Sequence, residues 1–176
     1  MELVLLADKP DKIPQIAKWY SDEWGYLTSD KNANDDSRST HALEIKLKDY
    51  LSRDQLPLIL LATDKDEDGG TRVLAAAQLR FQEMTTYPET SHWLGGVYVD
   101  KAHRGKSVAK MLINGILDLA NKHGVSELYL QTEDHSGGLY KKMGWKAVER
   151  VIYHGVDVLV MEMKVNNLSC EEQQQA

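Results

Sequence analysis

The densest chemistry in the chain lies in Val97-Tyr98-Val99-Asp100-Lys101-Ala102-His103-Arg104-Gly105-Lys106-Ser107-Val108-Ala109-Lys110-Met111-Leu112. An apolar run, a short polar loop and an amphipathic run follow one another, which reads as strand, loop and helix. The helix entrance carries Arg104, Gly105, Lys106, Ser107 and Ala109. Small residues at that place let a ligand come close to the backbone. The first N–H groups of a helix lack internal partners, and with the helix dipole they attract an anion. Arg104 and Lys106 add positive charge beside them. In a chain with a formal net charge of −6, such a local basic spot points to an anion-binding junction.

Three anionic ligands compete for this pattern. Gly105-Lys106-Ser107 matches the end of the nucleotide loop G-x-x-x-x-G-K-[ST], but the required first glycine falls on Asp100, and Gly95 and Gly96 are wrongly spaced. No G-x-G-x-x-G triplet for a dinucleotide is present. The third ligand is the pyrophosphate of coenzyme A. Arg104-Gly105-Lys106-Ser107-Val108-Ala109 resembles the acetyl-CoA motif [Q/R]-x-x-G-x-[G/A] of the GNAT N-acetyltransferases, with Arg104 first, Ala109 last and Ser107 where glycine is usual. Downstream, Leu139-Tyr140-Lys141-Lys142-Met143-Gly144-Trp145 is similar to the family's second signature, with Leu139 where phenylalanine is common. The resemblance spans about Glu2 to Val165, and the stretch from Trp19 to Gly25 is similar to a branch of small members.

The resemblance implies direct acetyl transfer from acetyl-CoA to a primary amine on a small molecule or a peptide terminus, with no metal. It assigns cofactor contacts to Val97, Tyr98 and Val99 on the strand and to Arg104, Gly105, Lys106, Ser107, Val108 and Ala109 at the helix entrance. The backbone N–H near Val99 would polarise the thioester carbonyl, and Tyr140 would protonate the leaving sulfur. A phenol of pKa about 10 gives its proton to a thiolate of pKa about 8.5 only slightly uphill. Relatives often carry a glutamate on the strand near Leu94, Gly95 and Gly96, where this chain has no carboxylate. Glu133, Asp134, His135 and His92 are the alternatives for a base, and each also reads as a solvated loop residue. Trp24 and Tyr26, with Glu133 and Asp134, are candidate acceptor contacts, since aromatic faces and carboxylates suit a cationic amine. A catalytically silent acetyl-CoA-binding module on the same fold is the rival reading, motivated by Ser107 and the missing strand carboxylate.

The elements that must position these residues are legible in the periodicities. Strands are expected at Glu2–Ala7, Leu58–Thr63, Val73–Phe81, Trp93–Val99, Glu127–Gln131, Trp145–Val151 and Val156–Val165. Helices are expected over Pro10–Trp24, around Leu43–Leu51 with a cap at Ser39 or Thr40, over Gly105–His123 closed by Gly124, and over Gly137–Met143. The stripe Ile13, Ile16, Ala17, Tyr20 and Trp24 should face a core. So should Val108, Met111, Leu112, Ile116, Leu119 and Ala120. Thr28–Arg38 and Asp64–Gly70 read as loops, the second as a hairpin turn. The resulting order is β-α-α-β-β-β-α-β-α-β-β, an α/β chain (α+β) with a mixed sheet covered by helices.

Composition sets the outer limits. With 176 residues, 42% of them hydrophobic, the chain suits one compact domain at 1–166 followed by a polar tail at 167–176. Its acidic balance argues against nucleic acid and anionic membrane as partners. The single cysteine, Cys170, forms no internal disulfide. No leader or membrane span is evident, so the expectation is a cytoplasmic protein acting on an amine or peptide acceptor, compatible with a homodimer.

Overall fold

The computed structural model describes residues 1–25 and 36–165, the side chains of 36–39 excepted. In chain order the elements are β1 (Glu2–Leu5), α1 (Ile13–Trp24), α2 (Asp36–Leu47), β2 (Leu58–Lys65), β3 (Thr71–Phe81), β4 (His92–Val99), α3 (Val108–Lys122), β5 (Glu127–Thr132), α4 (Gly138–Lys142), β6 (Lys146–Tyr153) and β7 (Val156–Lys164). This is the expected order, with short 3₁₀ turns between some elements. The seven strands form one sheet in the order β1-β2-β3-β4-β5-β7-β6. It is mixed: β4 and β5 pair in parallel at Trp93↔Tyr129, while β1–β2, β5–β7 and β6–β7 are antiparallel. A parallel pair needs a long crossover, and α3 supplies it.

The chain divides into two compact units, Met1–Gln78 with Gly96–Leu112, and Leu79–Gly95 with Ile113–Ala176. In the first, α1 buries Ile13, Ile16, Ala17 and Tyr20 against Ile59, Leu61, Val73, Ala76 and Tyr98, with Trp19 and Trp24 packed at the margin. The run Leu58–Ala62 is buried at every position, as a strand flanked on both sides in a sheet and covered on its faces requires. In the second unit Met84, Trp93, Val158 and Val160 form a core, with Tyr87, Tyr129, Val151 and Tyr153 around it. The loop between β3 and β4 is tied to this face: Tyr87 donates to Glu149 (2.8 Å) and Tyr153 accepts from the Thr85 N–H (3.0 Å).

Several boundaries differ from the periodicity for identifiable reasons. The third long helix starts at Val108, not Gly105, because Gly105 and Ser107 adopt φ of +73° and +61°, which no right-handed helix admits. Its C-terminus follows expectation: Val125 N–H bonds to the Ala120 carbonyl across Gly124 at φ +73°. Met111 and Leu119 are only half-buried, whereas Ile113 and Leu117 are buried, so the apolar stripe is broader than expected. The second helix begins at Asp36, so Ser39 and Thr40 lie within it and do not cap it. Asp36 to Arg38 are therefore helical and leave the expected loop. Tyr26, Asp30, Asp35 and Cys170 lie outside the described residues. The Asp64–Gly70 turn is organised by Asp66, whose Oδ1 accepts from the Gly70 N–H at 2.6 Å and the Asp68 N–H at 3.2 Å.

Candidate active site

In the first unit the junction of β4 and α3 is built from the end of the strand. Asp100 takes the place where a nucleotide loop needs its first glycine. Here it anchors a turn instead: its N–H bonds to the Leu74 carbonyl (2.9 Å), and its side chain accepts from Ala102 N–H (3.4 Å) and lies 3.6 Å from His103 Nδ1. The chain then passes through two left-handed residues, Gly105 and Ser107, before Val108 opens the helix. The Ser107 carbonyl accepts from Met111 N–H at 3.1 Å, so the N–H groups of the first helical turn, Val108 to Lys110, precede that rung and are the ones a helix start offers to another acceptor. A Cβ on Gly105 would meet no atom within 4 Å, so the backbone there faces open space.

The two cations are folded along this loop. Arg104 donates from Nε to the Val99 carbonyl (2.9 Å), with its guanidinium over the Tyr98 ring at 5.5 Å. Lys106 Nζ donates to the Ala102 carbonyl at 3.3 Å. Exposed left-handed backbone, a helix N-terminus and two positive side chains fit a diphosphate. Tyr98 is buried against Trp19, with ring centroids 5.0 Å apart, so its ring belongs to the core and only its backbone can face a ligand. Upstream, Gly96 has φ +54° and its carbonyl accepts from the Tyr20 hydroxyl at 2.8 Å. Any side chain at 96 would press on that hydroxyl and on Gln78 Nε2.

In the second unit α4 is closed by Gly144 at φ +96°, and Trp145 N–H returns to the Tyr140 carbonyl at 3.1 Å. The ring of Tyr140 stands edge-on to Trp145 with centroids 6.2 Å apart. Burial, and then the charge of Glu83, push the Tyr140 hydroxyl up to about 12. That moves it away from a thiolate's range, not toward it.

Glu83, on the loop after β3, is the residue that sequence reasoning passed over. Its Oε1 accepts from Gln131 Nε2 at 2.9 Å. Its Oε2 is sealed from solvent and has no hydrogen-bond partner among the described residues. Burial drives its carboxyl well above the usual range, against smaller opposing effects of Gln131 and Arg80. A Cβ built on Gly95 would collide with that same Oε2. The signal in the sequence was Gly95 itself, a bare position on a strand otherwise rich in large residues.

The other candidates are placed as follows. Trp24 is half-buried beside Tyr20 (5.4 Å) and Tyr98 (6.5 Å). Glu133 is exposed. Asp134 accepts from the Ser136 N–H (3.0 Å) and hydroxyl (2.6 Å), bonds that lower its pKa and weaken it as a base. His135 Nε2 lies 2.9 Å from the Asp157 carbonyl. His92 packs beside Phe81 at 5.1 Å, and burial lowers its pKa. Among the described residues no cluster could hold a metal ion, and no helix is long and apolar enough to cross a membrane.

Comparison with known proteins bears on this geometry. The family model described as Acetyltransferase (GNAT) family matches residues 13–145. N-acetyltransferase 8B of Homo sapiens is 36% identical over 59 residues, which is 32% of this chain; the match covers 26% of that protein's length. Among solved structures, an aminoglycoside 6'-N-acetyltransferase complexed with coenzyme A aligns with TM-score 0.67 at 14% identity, covering 94% of this chain and 97% of that one. A ribosomal-protein-alanine N-acetyltransferase from Brucella melitensis aligns with TM-score 0.63 at 18% identity, covering 93% and 99%. At such identities the structural likeness speaks for the fold.

Proposed function

The chain belongs to the GNAT acetyltransferase family, and from that membership we propose that it moves an acetyl group from acetyl-CoA directly to a primary amine. The amine is carried by a small molecule or by a peptide or protein terminus. The observation that carries this reading is the loop before α3, where Gly105 and Ser107 turn the backbone outward beside Arg104 and Lys106. Backbone N–H groups from Arg104 to Ala109 hold the pyrophosphate of the co-substrate, and the strand Val97–Val99 lies along its thioester arm. The Val99 N–H polarises the carbonyl oxygen as negative charge develops there. Residues 1–166 act as one acetyltransferase domain, with 167–176 outside it.

Tyr140 serves the leaving sulfur. With its hydroxyl near 12, complete proton transfer to a thiolate of pKa about 8.5 runs uphill by about 5 kcal/mol. In the resting protein Tyr140 therefore supports sulfur by donating a hydrogen bond, and full transfer requires its surroundings to lose negative charge. The silent-module reading keeps one observation in its favour, the side chain of Ser107 at a left-handed position in the phosphate loop.

The test is the melting temperature with acetyl-CoA and with Mg-ATP, followed by turnover in the Tyr140→Phe variant. A ligand that binds only the folded state must raise the melting point by mass action. The proposal expects a rise with acetyl-CoA, none with Mg-ATP, and a Phe variant that binds normally but turns over slowly. No rise at millimolar acetyl-CoA overturns the cofactor site. Normal binding without any turnover of amines by the native chain selects the silent module.

A further inference from the structure

A carboxylate placed where the chain's own backbone leaves a hole is the most unusual feature of the second unit. Gly95 has no side chain, and the space its Cβ would fill is taken by Glu83 Oε2, with the Arg80 Cδ 3.3 Å from the same point. Glu83 reaches there from the β3–β4 loop, not along the strand. Its reach is fixed at several points. Gln82 N–H bonds to the Ser91 carbonyl (2.9 Å) and Gln82 Nε2 to the Tyr87 carbonyl (2.9 Å), closing the loop on itself. Gln131 then takes one carboxyl oxygen and leaves the other without a partner. A buried polar atom without a partner asks for an explanation, whether a bound water or ion, strain or a catalytic role, and Glu83 Oε2 shares that state with His103 Nδ1 and Trp145 Nε1 among the described residues.

The sheet register adds direction. Side chains alternate between faces along a strand. Gln131 pairs with Val160, and Leu130 with Met161. Glu83, bonded to Gln131, therefore sits on the Val160 face, where Met84 and Trp93 also pack. A Cβ on Gly137 would lie 3.0 Å from Met161 Cε, and one on Gly144 3.7 Å from Met163 Cε, which puts α4 on the opposite face. Glu83 and Tyr140 thus address the sheet from its two sides, while remaining close enough for the charge of one to act on the other. In an acyl transfer the attacking nitrogen and the departing sulfur are different substituents of one carbon, so a base and an acid that act at separate atoms are compatible with this placement.

We infer that Glu83 is the proton acceptor for the incoming amine, supplied from the β3–β4 loop into the space vacated by Gly95. The inference rests on the acetyl-transfer reading above. An alkylammonium gives one N–H proton to the Glu83 carboxylate through a relaying water, since Oε2 itself is closed to bulk solvent, and regains its lone pair. The N–C bond forms as the carbonyl pair moves onto oxygen. That pair returns, the C–S bond breaks, and the pair leaves on sulfur. The sulfur takes a proton from Tyr140, which recovers one from the acylated nitrogen, and Glu83 releases its own proton to solvent. Ammonium and thioester become amide, thiol and one proton. The two residues are coupled in the useful order: protonated Glu83 no longer holds the Tyr140 proton back, so the acid strengthens once the base has acted.

The test compares two kinds of acceptor in Glu83→Gln. Primary alkylamines (spermidine, an aminoglycoside, a free-N-terminal peptide) arrive protonated near pH 7. Hydroxylamine arrives neutral and needs no base. Loss of a general base slows a step by about 10²–10⁴-fold, so the ratio of alkylamine to hydroxylamine turnover should fall by about 100-fold or more. The acid limb of the alkylamine pH profile should also move up to the ionisation of the amine itself, since only the free amine then reacts. Melting with and without acetyl-CoA checks that the variant folds and binds. Gly95→Ala, whose methyl displaces the Glu83 carboxyl, should shift the ratio the same way. An unchanged ratio in both variants overturns the inference, as does equal loss with both acceptors. So does a native protein that acetylates hydroxylamine but no ammonium in the panel. A native protein that neither binds acetyl-CoA nor acetylates hydroxylamine overturns the acetyl-transfer reading, and Glu83 falls with it.

Discussion

Replacing Ser107 by glycine should both stabilise the protein and tighten its hold on acetyl-CoA. Ser107 stands at φ +61° immediately before α3. A left-handed conformation costs a residue with a Cβ about 1–2 kcal/mol. Glycine removes that strain but loses about 0.5–1 kcal/mol more backbone entropy on folding. The side chain is exposed, so its removal opens no cavity in a core. The net gain is about 0.5–1 kcal/mol, and for a chain of this size that raises the melting temperature by roughly 1–4 °C.

Binding should respond through the same bond rotations. If the loop cradles the pyrophosphate as proposed, it does so with Ser107 at a left-handed φ, and glycine there relieves that strain and removes the hydroxymethyl group. An improvement in Kd of about two- to tenfold, or about 0.4–1.4 kcal/mol, is expected. Thermal melts of both proteins alone, then calorimetric titration with acetyl-CoA, give the two numbers separately. A glycine variant that melts lower and binds more weakly would refute the reasoning. It would mean that the serine hydroxyl contacts the ligand and that the native sequence keeps the strain for that contact.

Two further outcomes follow from the same geometry. Gly96→Ala combines a left-handed position with a methyl placed 2.7 Å from Gln78 Nε2 and 2.8 Å from the Tyr20 hydroxyl. It should cost about 2–4 kcal/mol and lower the melting point by roughly 5–15 °C; a change below about 1 °C would show that β4 relaxes freely there. Glu83, whose folded pKa is raised by burial, contributes stability below its unfolded value of about 4.3 and loses it as pH climbs through the folded value. Melting curves of the native protein and Glu83→Gln should therefore lie closest near pH 4 and separate in favour of the variant toward alkaline pH. A gap that narrows with rising pH contradicts the burial argument.

How much of this was legible in the sequence depended on the range of the interaction. The order of elements along the chain and the strand-loop-helix at the start of α3 were readable because their determinants are local; the order of the strands within the sheet was not. Apolar alternation, Gly124 after an amphipathic run and small residues at Gly105–Ala109 each act within a few residues. The start of α3 was misjudged by three residues because serine at Ser107 gives no hint of a left-handed backbone. The cap at Ser39 or Thr40 failed for a related reason: α2 extends upstream through residues with no apolar period to announce it. Tyr140 could be named from its neighbours in the chain, but the upward push on its hydroxyl could not, since burial and a glutamate 57 positions earlier produce it.

Glu83 is invisible along the strand itself, because Leu94, Gly95 and Gly96 include no residue able to take a proton. A glycine on a strand, however, is also a space with the volume of a side chain, and a neighbouring loop can fill it. Glu83 does so because Gln82 folds the loop and Gln131, 48 residues downstream, draws in one carboxyl oxygen. The chemistry at a place in a fold is set by which atoms arrive there, and their position in the chain is secondary. Gly95 is consequently as much a part of this site as Glu83: the carboxylate has somewhere to stand only because that strand position carries no Cβ. A base delivered in this way has a freedom that a strand residue lacks, since the loop holding it can differ in length and anchoring without disturbing the register of β4. The same freedom makes it sensitive to its tethers, so the bonds of Tyr87 to Glu149 and of Thr85 to Tyr153 position the proton acceptor although neither touches it.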